Sequence, residues 1–405
     1  MNFLFISPQF PDTYWNFCDR LKRNGATVLG IGDTPYAQIP DRLKEALTEY
    51  FWLADLEDYD AVLRATAFLT YKHGKIDWIE SNNEHWLELD ARLREDFNVT
   101  TGAYPKQVAA WQSKAAQKPL YAAAGVPTAR QTKLTNYDDV RWFIGEVGDY
   151  PVFAKPEVGV GAQGAFELTC DDDLRDLLAT HGDVPYVVEQ LVQGTICSYD
   201  AVLDSHGEPL FENQEEFPPS MARVKEEGLD IAYWSCPGVD SQLRVRGRAA
   251  AKAFGLASRF VHMEFFRLDH DQPGLGRAGD YVGLEVNARP TGGFSPDMMA
   301  LAHSVDIYQI WADMVCFDEN RVPAGEEGHF FCVHASRRDA FAYARAHEEV
   351  CERYAAELVS ARRMPAGLAD EIGDFAYVAR FRTRKEVDEF VAFVQERRAE
   401  EAAND

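Results

Sequence analysis

The segment Leu284-Glu285-Val286-Asn287-Ala288-Arg289-Pro290-Thr291-Gly292-Gly293 places a carboxylate, an amide and a guanidinium at alternate positions of an apolar run. Alternate residues of an extended strand share a face, so Glu285, Asn287 and Arg289 point the same way. Hard oxygen donors suit Mg²⁺ held with a phosphate, and a planar guanidinium fork suits the phosphate itself. Read alone, the segment is equally a half-exposed strand with three polar residues toward solvent. A second apolar run, Phe260-Val-His262-Met-Glu264-Phe-Phe, carries another carboxylate. If the two runs are neighbouring antiparallel strands, Glu264 lies opposite Glu285, and like charges at that range repel unless a cation sits between them. The pair argues for metal better than either strand does alone.

Two further segments carry chemistry. Tyr150-Pro-Val-Phe-Ala-Lys155-Pro-Glu-Val-Gly159-Val-Gly161-Ala-Gln-Gly164 sets a lysine at a strand end, directly before a glycine-spaced loop. Glycines let backbone N–H groups approach a phosphate closely, and the lysine adds a point charge. The order GxxxxGK[ST] is absent, so this is not a P-loop, and read alone it is an ordinary hairpin. Tyr186-Val-Val-Glu189-Gln190-Leu191-Val192 is a strand ending in polar residues before Gly194. A chain crossing between lobes there presents donors and acceptors to an adenine edge, with Glu189 accepting from the exocyclic amine; the alternative is a plain strand exit. Arg259, just before the Glu264 strand, and Arg223 and Lys225, in the charged stretch 215–240, are candidates for holding a carboxylate substrate. Solvated surface charge explains the last two as well. His262, two positions before Glu264, either faces the site or is a satisfied structural histidine, the simpler reading, while Tyr233 and Trp234 either line a pocket or anchor the loop.

The elements that must position these residues follow a clear order. Runs at Asn2–Ser7, Thr27–Ile31 and Ile76–Glu80 alternate with helical patterns at Tyr14–Asn24, Asp60–Thr70 and Glu84–Phe97, which predicts a parallel α/β unit. Loops at strand carboxyl ends make Ser7, Pro8, Asp33 and Glu80 weak ligand candidates, with turn chemistry the simpler explanation. Lys106–Ala124 reads as one helix stopped by Gly125. From Tyr150 the pattern becomes β-rich, with a helix at Asp171–Ala179 and a hairpin formed by Ser198–Leu203 and Pro209–Glu212. A helix at Leu243–Phe254 then precedes the strands Phe260–Leu268 and Tyr281–Ala288. After a helix at Val305–Met314, strands at Gly328–Ala335 and Phe375–Phe381 flank helices, with a charged helix at Lys385–Arg398.

Composition sets the outer bounds. A chain of 405 residues with 46% hydrophobic and 12% aromatic content has ample core for two to four domains. With 41 basic and 66 acidic residues, the net charge of −25 opposes nucleic acid and anionic membranes, and no basic cluster with interleaved aromatics offsets it. Seven cysteines lie scattered without CxxC pairing, which fits free thiols in a reducing compartment. The apolar run at the N-terminus reads as a first strand, not a signal peptide, and no apolar stretch is long enough to span a bilayer. A cytoplasmic protein is the expectation.

Taken in order, the pieces resemble the ATP-grasp superfamily, whose members include carboxylate–amine ligases, biotin carboxylase and the carbamoyl-phosphate synthase large subunit. The matching pieces are Lys114 before AGVPTAR, then YPVFAKPEVGVGAQG, VVEQLVQG, VHMEFF and LEVNARPTGG, together spanning roughly 105–320. The resemblance implies an α/β protein with an ATP-grasp fold: a Rossmann-like domain over 1–105, an N-lobe with the glycine-rich loop over 106–190, a C-lobe with the metal site over 191–320, and a C-terminal α+β segment over 321–405. It implies ATP and two Mg²⁺ ions, with Mn²⁺ as a possible substitute. Lys114 and Lys155 would contact nucleotide phosphates, beneath the loop from Gly159 through Gly161 to Gly164, and Glu189 and Leu191 would meet adenine. Glu264, Glu285 and Asn287 would hold the metals, and Arg289 would steady the transferring phosphate.

The function it implies is an ATP-dependent carboxylate–amine ligase working through an acyl phosphate, with small-molecule carboxylate and amine partners and a homodimer left open. The alternatives are a bicarbonate-using carboxylase or carbamoyl-phosphate-type enzyme, and a nucleotide-binding module without turnover. The chain departs from many relatives in having Thr195-Ile196 after Gly194, where an acidic residue holds the ribose, and Ala162 where ligases have serine. The Glu264–Glu285 spacing is also stretched by an insertion around Pro273–Asp280.

Overall fold

The computed structural model describes residues 1–158, 164–218, 229–323, 328–365, 369 and 372–398. The chain begins with a parallel sheet, β1 (Asn2–Ile6), β2 (Thr27–Gly32), β3 (Glu49–Trp52) and β4 (Trp78–Glu80), in the order β3-β2-β1-β4. Helices α1 (Trp15–Arg23), α2 (Asp41–Ala46), α3 (Tyr59–His73) and α4 (Leu87–Asp96) alternate with the strands or follow them. Local chemistry sets the limits of α3: the Asp58 carboxylate accepts from the Ala61 N–H, and Gly74 follows the last turn with a φ of 92°.

Where the sequence predicts one helix over Lys106–Ala124, the structure has two, α5 (Pro105–Gln112) and α6 (Lys114–Ala123). Ser113 breaks the run with extended backbone, and its hydroxyl accepts from the Ala116 N–H at 3.2 Å. A serine cap inside a helical pattern carries no periodicity signal of its own, which is why the break is hidden.

A small antiparallel sheet follows: β5 (Gln131–Lys133), β6 (Val152–Pro156), β7 (Phe166–Leu168) and β8 (Tyr186–Gln190), in the order β5-β8-β6-β7. Helices α7 (Tyr137–Glu146) and α8 (Asp171–Thr180) pack on it through Val140, Ile144, Leu174 and Leu177.

The third sheet is the largest. It comprises β9 (Gly194–Leu203), β10 (Pro209–Phe217), β11 (Ala232–Ser235), β12 (Arg259–Leu268), β13 (Tyr281–Asn287), β14 (Phe331–Arg337), β15 (Leu358–Arg363) and β16 (Phe375–Phe381). The order is β13-β12-β9-β10-β11-β14-β16-β15, so the strands after residue 321 extend the sheet that carries Glu264 and Glu285. Helices α9 (Ser241–Ala253), α10 (Ser295–His303), α11 (Ile307–Phe317), α12 (His347–Arg353) and α13 (Arg384–Gln395) complete the described elements. The charged stretch 215–240 is partly regular: β10 runs on to Phe217, and β11 lies within it.

Two contacts fix the geometry that matters for the site. Trp311 of α11 is buried against Phe3 and Phe17, with ring centroids 5.7 and 4.8 Å away, and so seats the parallel sheet on the largest one. On the other side α6 lies along the edge strand β13. The Val286 N–H donates to Gln117 Oε1 at 3.1 Å, and Gln117 Nε2 donates to the Val286 carbonyl at 3.2 Å, which satisfies edge groups that would otherwise be orphaned. Gly283 permits this approach, because a Cβ there would meet the Tyr121 ring at 2.6 Å. Among the described residues, no helix is long and apolar enough to cross a membrane.

Candidate active site

The register of β12 and β13 places Glu264 directly opposite Glu285, and His262 opposite Asn287. The insertion at Pro273–Asp280 lies at the tip of this hairpin, beyond the pair Arg267–Tyr281, and does not disturb the facing carboxylates. A bulge between Glu264 and Phe265 follows immediately, of the kind that re-aims side chains beside sites.

Burial pushes the Glu285 carboxyl up; Lys114, 3.4 Å away, works against that shift, and Glu264 adds to it. Burial also works to raise the Glu264 carboxyl, but a hydrogen bond and charge from His262, with the charges of Arg289 and Lys155, hold it below the ordinary value. Glu264 and Glu285 thus face each other across the strand pair, with the buried amide Asn287 two positions along β13 from Glu285, where burial and a like charge disfavour the ionised Glu285. That donor set fits a hard divalent cation.

Cations reach the same place from three elements. Lys114 stands at the start of α6, held there because its N–H donates to the Glu157 carbonyl at 3.1 Å. Lys155 on β6 is buried, and its Nζ lies 2.6 Å from Glu189 Oε2 on β8. Arg289, just past β13, places Nε 3.3 Å from Glu84, at the start of a short 3₁₀ turn, Glu84–Trp86, and donates through Nη1 to the Pro290 carbonyl. Gly164 takes a positive φ of 70°, with its carbonyl accepting from the Tyr186 hydroxyl. Leu191 follows β8 and is half-buried.

Some expectations fall elsewhere. Gly159, Gly161, Arg223 and Lys225 lie outside the described residues. Arg259 is 2% exposed, its guanidinium 3.0 Å from Glu80 and 4.9 Å from the centre of the Trp111 ring. It joins Arg94 and Glu80 in an internal ion cluster and is not open to a substrate, which corrects the expectation of a carboxylate-binding group. Glu80 is likewise a structural anion, 2.9 Å from Arg94. Trp234 is core, under the guanidinium of Arg384, and Tyr233 is buried, stacked between Phe217 and His334.

Other residues at the site were not anticipated. Lys118 lies 2.8 Å from Glu189 Oε1, so that carboxylate is held between two lysines; burial opposes its charge, but Lys155 and Lys118 keep it ionised below the ordinary range. The spacing of Lys118 four residues after Lys114 was the available signal, since i and i+4 share a helix face. Behind the carboxylate pair, Ser198, Asp200, Asn213 and Glu215 form a buried polar row across β9 and β10. Register pairs His262 with Asp200 and Glu264 with Ser198. Although burial works against a charged ring, the hydrogen bond and charge of Asp200, then those of Glu264, push His262 up to about 10.

Glu215 gives a test by pH. Burial first, then the charge of Asp200, pushes its carboxyl up to about 8. The native state therefore keeps a proton that the unfolded chain releases near the ordinary value of 4.5. Stability is full below 4.5 and declines as pH rises toward 8, by no more than about 1.4 kcal/mol per pH unit. Glu215→Gln removes that decline, so the difference in Tm between variant and wild type shifts in the variant's favour from pH 5.5 to pH 8.5. A difference that stays flat between those pH values would show that Glu215 is ionised throughout.

No family model matches the chain, and no curated protein sequence does. Solved structures do. An L-amino acid ligase from Bacillus licheniformis superposes with a TM-score of 0.67 at 14% identity, covering 96% of this chain and 95% of that one. An N5-carboxyaminoimidazole ribonucleotide synthetase from Thermus thermophilus gives 0.66 at 15% identity, over 99% of both chains. A biotin carboxylase domain of Hydrogenobacter thermophilus 2-oxoglutarate carboxylase, bound to MgADP, ADP and bicarbonate, gives 0.64 at 16%, over 98% and 90%. Three proteins of different activity share one architecture with this chain over nearly its whole length. The fold is the ATP-grasp fold.

Proposed function

We propose that the protein is an ATP-dependent carboxylate–amine ligase. The observation that carries the reading is the facing pair Glu264–Glu285, with Lys114 at 3.4 Å and with Lys155 and Arg289 near enough for their charges to act on the pair. Glu264, Glu285 and Asn287 would hold Mg²⁺, which when bound would neutralise the phosphate oxygens. Lys114 and Lys155 exchange Glu285 and Glu189 for nucleotide phosphates. Glu189, still held by Lys118, accepts from the adenine amine, and Leu191 packs against the base.

Phosphoryl transfer asks the protein for positioning and charge more than for covalent help. A substrate carboxylate oxygen attacks the γ-phosphorus and ADP leaves. Arg289 steadies the transferring group and the acyl phosphate, the amine attacks the carbonyl carbon, and phosphate departs. The ligase likeness in the fold supports the amine acceptor; the MgADP in the carboxylase domain supports the nucleotide and metal.

The experiment is ADP release from MgATP with pooled amino acids, with and without bicarbonate. Turnover that needs the amino-acid pool is expected. Turnover that needs bicarbonate would replace the ligase with a carboxylating enzyme, and ATP binding without turnover would leave a nucleotide-binding module.

A further inference from the structure

The carboxylate of Glu264 is not free to turn. His262 Nε2 lies 3.1 Å from Glu264 Oε1, while its Nδ1 lies 2.6 Å from Asp200 Oδ1. Both ring nitrogens thus lie within hydrogen-bond reach of carboxylate oxygens, one on each side of the ring. Asp200, wholly buried, is fixed in turn: Ser198 Oγ donates to its Oδ2 at 2.6 Å, Asn213 Nδ2 donates to the same oxygen at 3.2 Å, and Thr291 Oγ1 donates to Oδ1 at 3.0 Å. Thr291 also lies 2.9 Å from His262 Nδ1 and belongs to the loop that carries Arg289. The sheet register builds this alignment, with Asn287, His262, Asp200 and Asn213 opposite one another on four successive strands.

We propose that His262, braced by Asp200 and Thr291, is a positioning residue that holds one oxygen of Glu264 so that the carboxylate presents the other to the metal. The inference rests on the metal-site reading above. Ligating carboxylates are themselves hydrogen-bonded, and losing such an outer partner weakens metal binding by about 10–100-fold. The ligand atoms of Asp200, Glu215 and His262 also lie within 4.8 Å of one another, the dimension of a cation site. Two features favour protons there over a metal: the 2.6 Å separation of Nδ1 and Oδ1 is that of a hydrogen bond, and both Asp200 oxygens already receive donors.

The test is Mn²⁺ binding with ADP present, followed by the electron paramagnetic resonance of free Mn²⁺, beside ADP binding in EDTA. His262→Gln weakens Mn²⁺ by about tenfold or more and leaves metal-free ADP affinity unchanged. Thr291→Val, which removes one brace and no charge, weakens Mn²⁺ by about fivefold and decides the matter if His262→Gln does not fold. Equal Mn²⁺ affinity in a folded His262→Gln protein overturns the inference, as does an equal loss of ADP affinity in EDTA. An ion retained by nucleotide-free protein and lost in Glu215→Gln overturns it too, because His262 Nδ1 would then be a ligand. Wild-type protein that binds no Mn²⁺ with ADP instead refutes the metal site itself.

Discussion

Glu285→Gln is expected to lose at least a hundredfold of MgATP-dependent ADP release while keeping its fold. The substitution preserves volume and removes one of two facing carboxylates, so the proposed cation would lose a charged ligand. Losing a single group that stabilises charge at a reacting centre costs about 10²–10³ in rate, and a carboxylate proposed to hold the metal falls within that range. Stability moves the other way. Burial and Glu264 both disfavour the ionised form of Glu285, and a carboxyl raised in the native state loses stabilising effect as pH climbs past its ordinary value. At neutral pH the amide is therefore neutral to slightly stabilising, although Lys114 gives up a partner at 3.4 Å. ADP release within threefold of wild type from a folded variant would remove Glu285 from the metal site.

Glu80→Gln is expected to do the reverse, leaving the nucleotide site's chemistry in place while costing about 3 kcal/mol of stability. Glu80 is 3% exposed, and its Oε2 receives Arg94 at 2.9 Å and Arg259 at 3.0 Å. Removing one partner of a buried ion group leaves charge uncompensated, typically costing 3–5 kcal/mol. Two features bring this case to the lower end. Arg94 keeps its hydrogen bonds to the Ile79 and Ala103 carbonyls. Asp90, pushed up to about 7 by burial and by the charge of Glu80, ionises more readily once Glu80 is neutral and restores part of the negative charge. Because Arg259 opens β12 and Glu80 closes β4, the cluster ties the parallel sheet to the sheet carrying Glu264 and Glu285. Urea unfolding measures the change; a loss below about 0.5 kcal/mol would mean that the cluster is not a structural tie.

What the sequence made legible was local chemistry on strands. Period-two alternation sets Glu285 and Asn287 on one face of β13, whereas Arg289 lies in the bend past the strand's end, and pairing logic sets Glu264 against Glu285, the register that the structure has. The signal failed where an element's role depends on partners distant in sequence. Arg259 reads as a candidate carboxylate-binding group beside the Glu264 strand, but its guanidinium meets Glu80, 179 residues away, and burial turns it into an internal tie. Ser113 breaks a helix that periodicity alone runs through. Asp200 and Glu215 carry no motif, and they become a polar row only because β9 lies between β12 and β10 in the sheet. His262, read as a structural histidine, does make the satisfied contacts of one, but one of them is to a proposed metal ligand.

The most direct measurement follows oxygen. With an amino-acid pool labelled with ¹⁸O in its carboxyl groups, the account predicts that phosphate released alongside ADP carries one ¹⁸O atom, transferred when the carboxylate attacks the γ-phosphorus and the acyl phosphate is later broken at carbon. Unlabelled phosphate, or AMP and pyrophosphate in place of ADP, would contradict it.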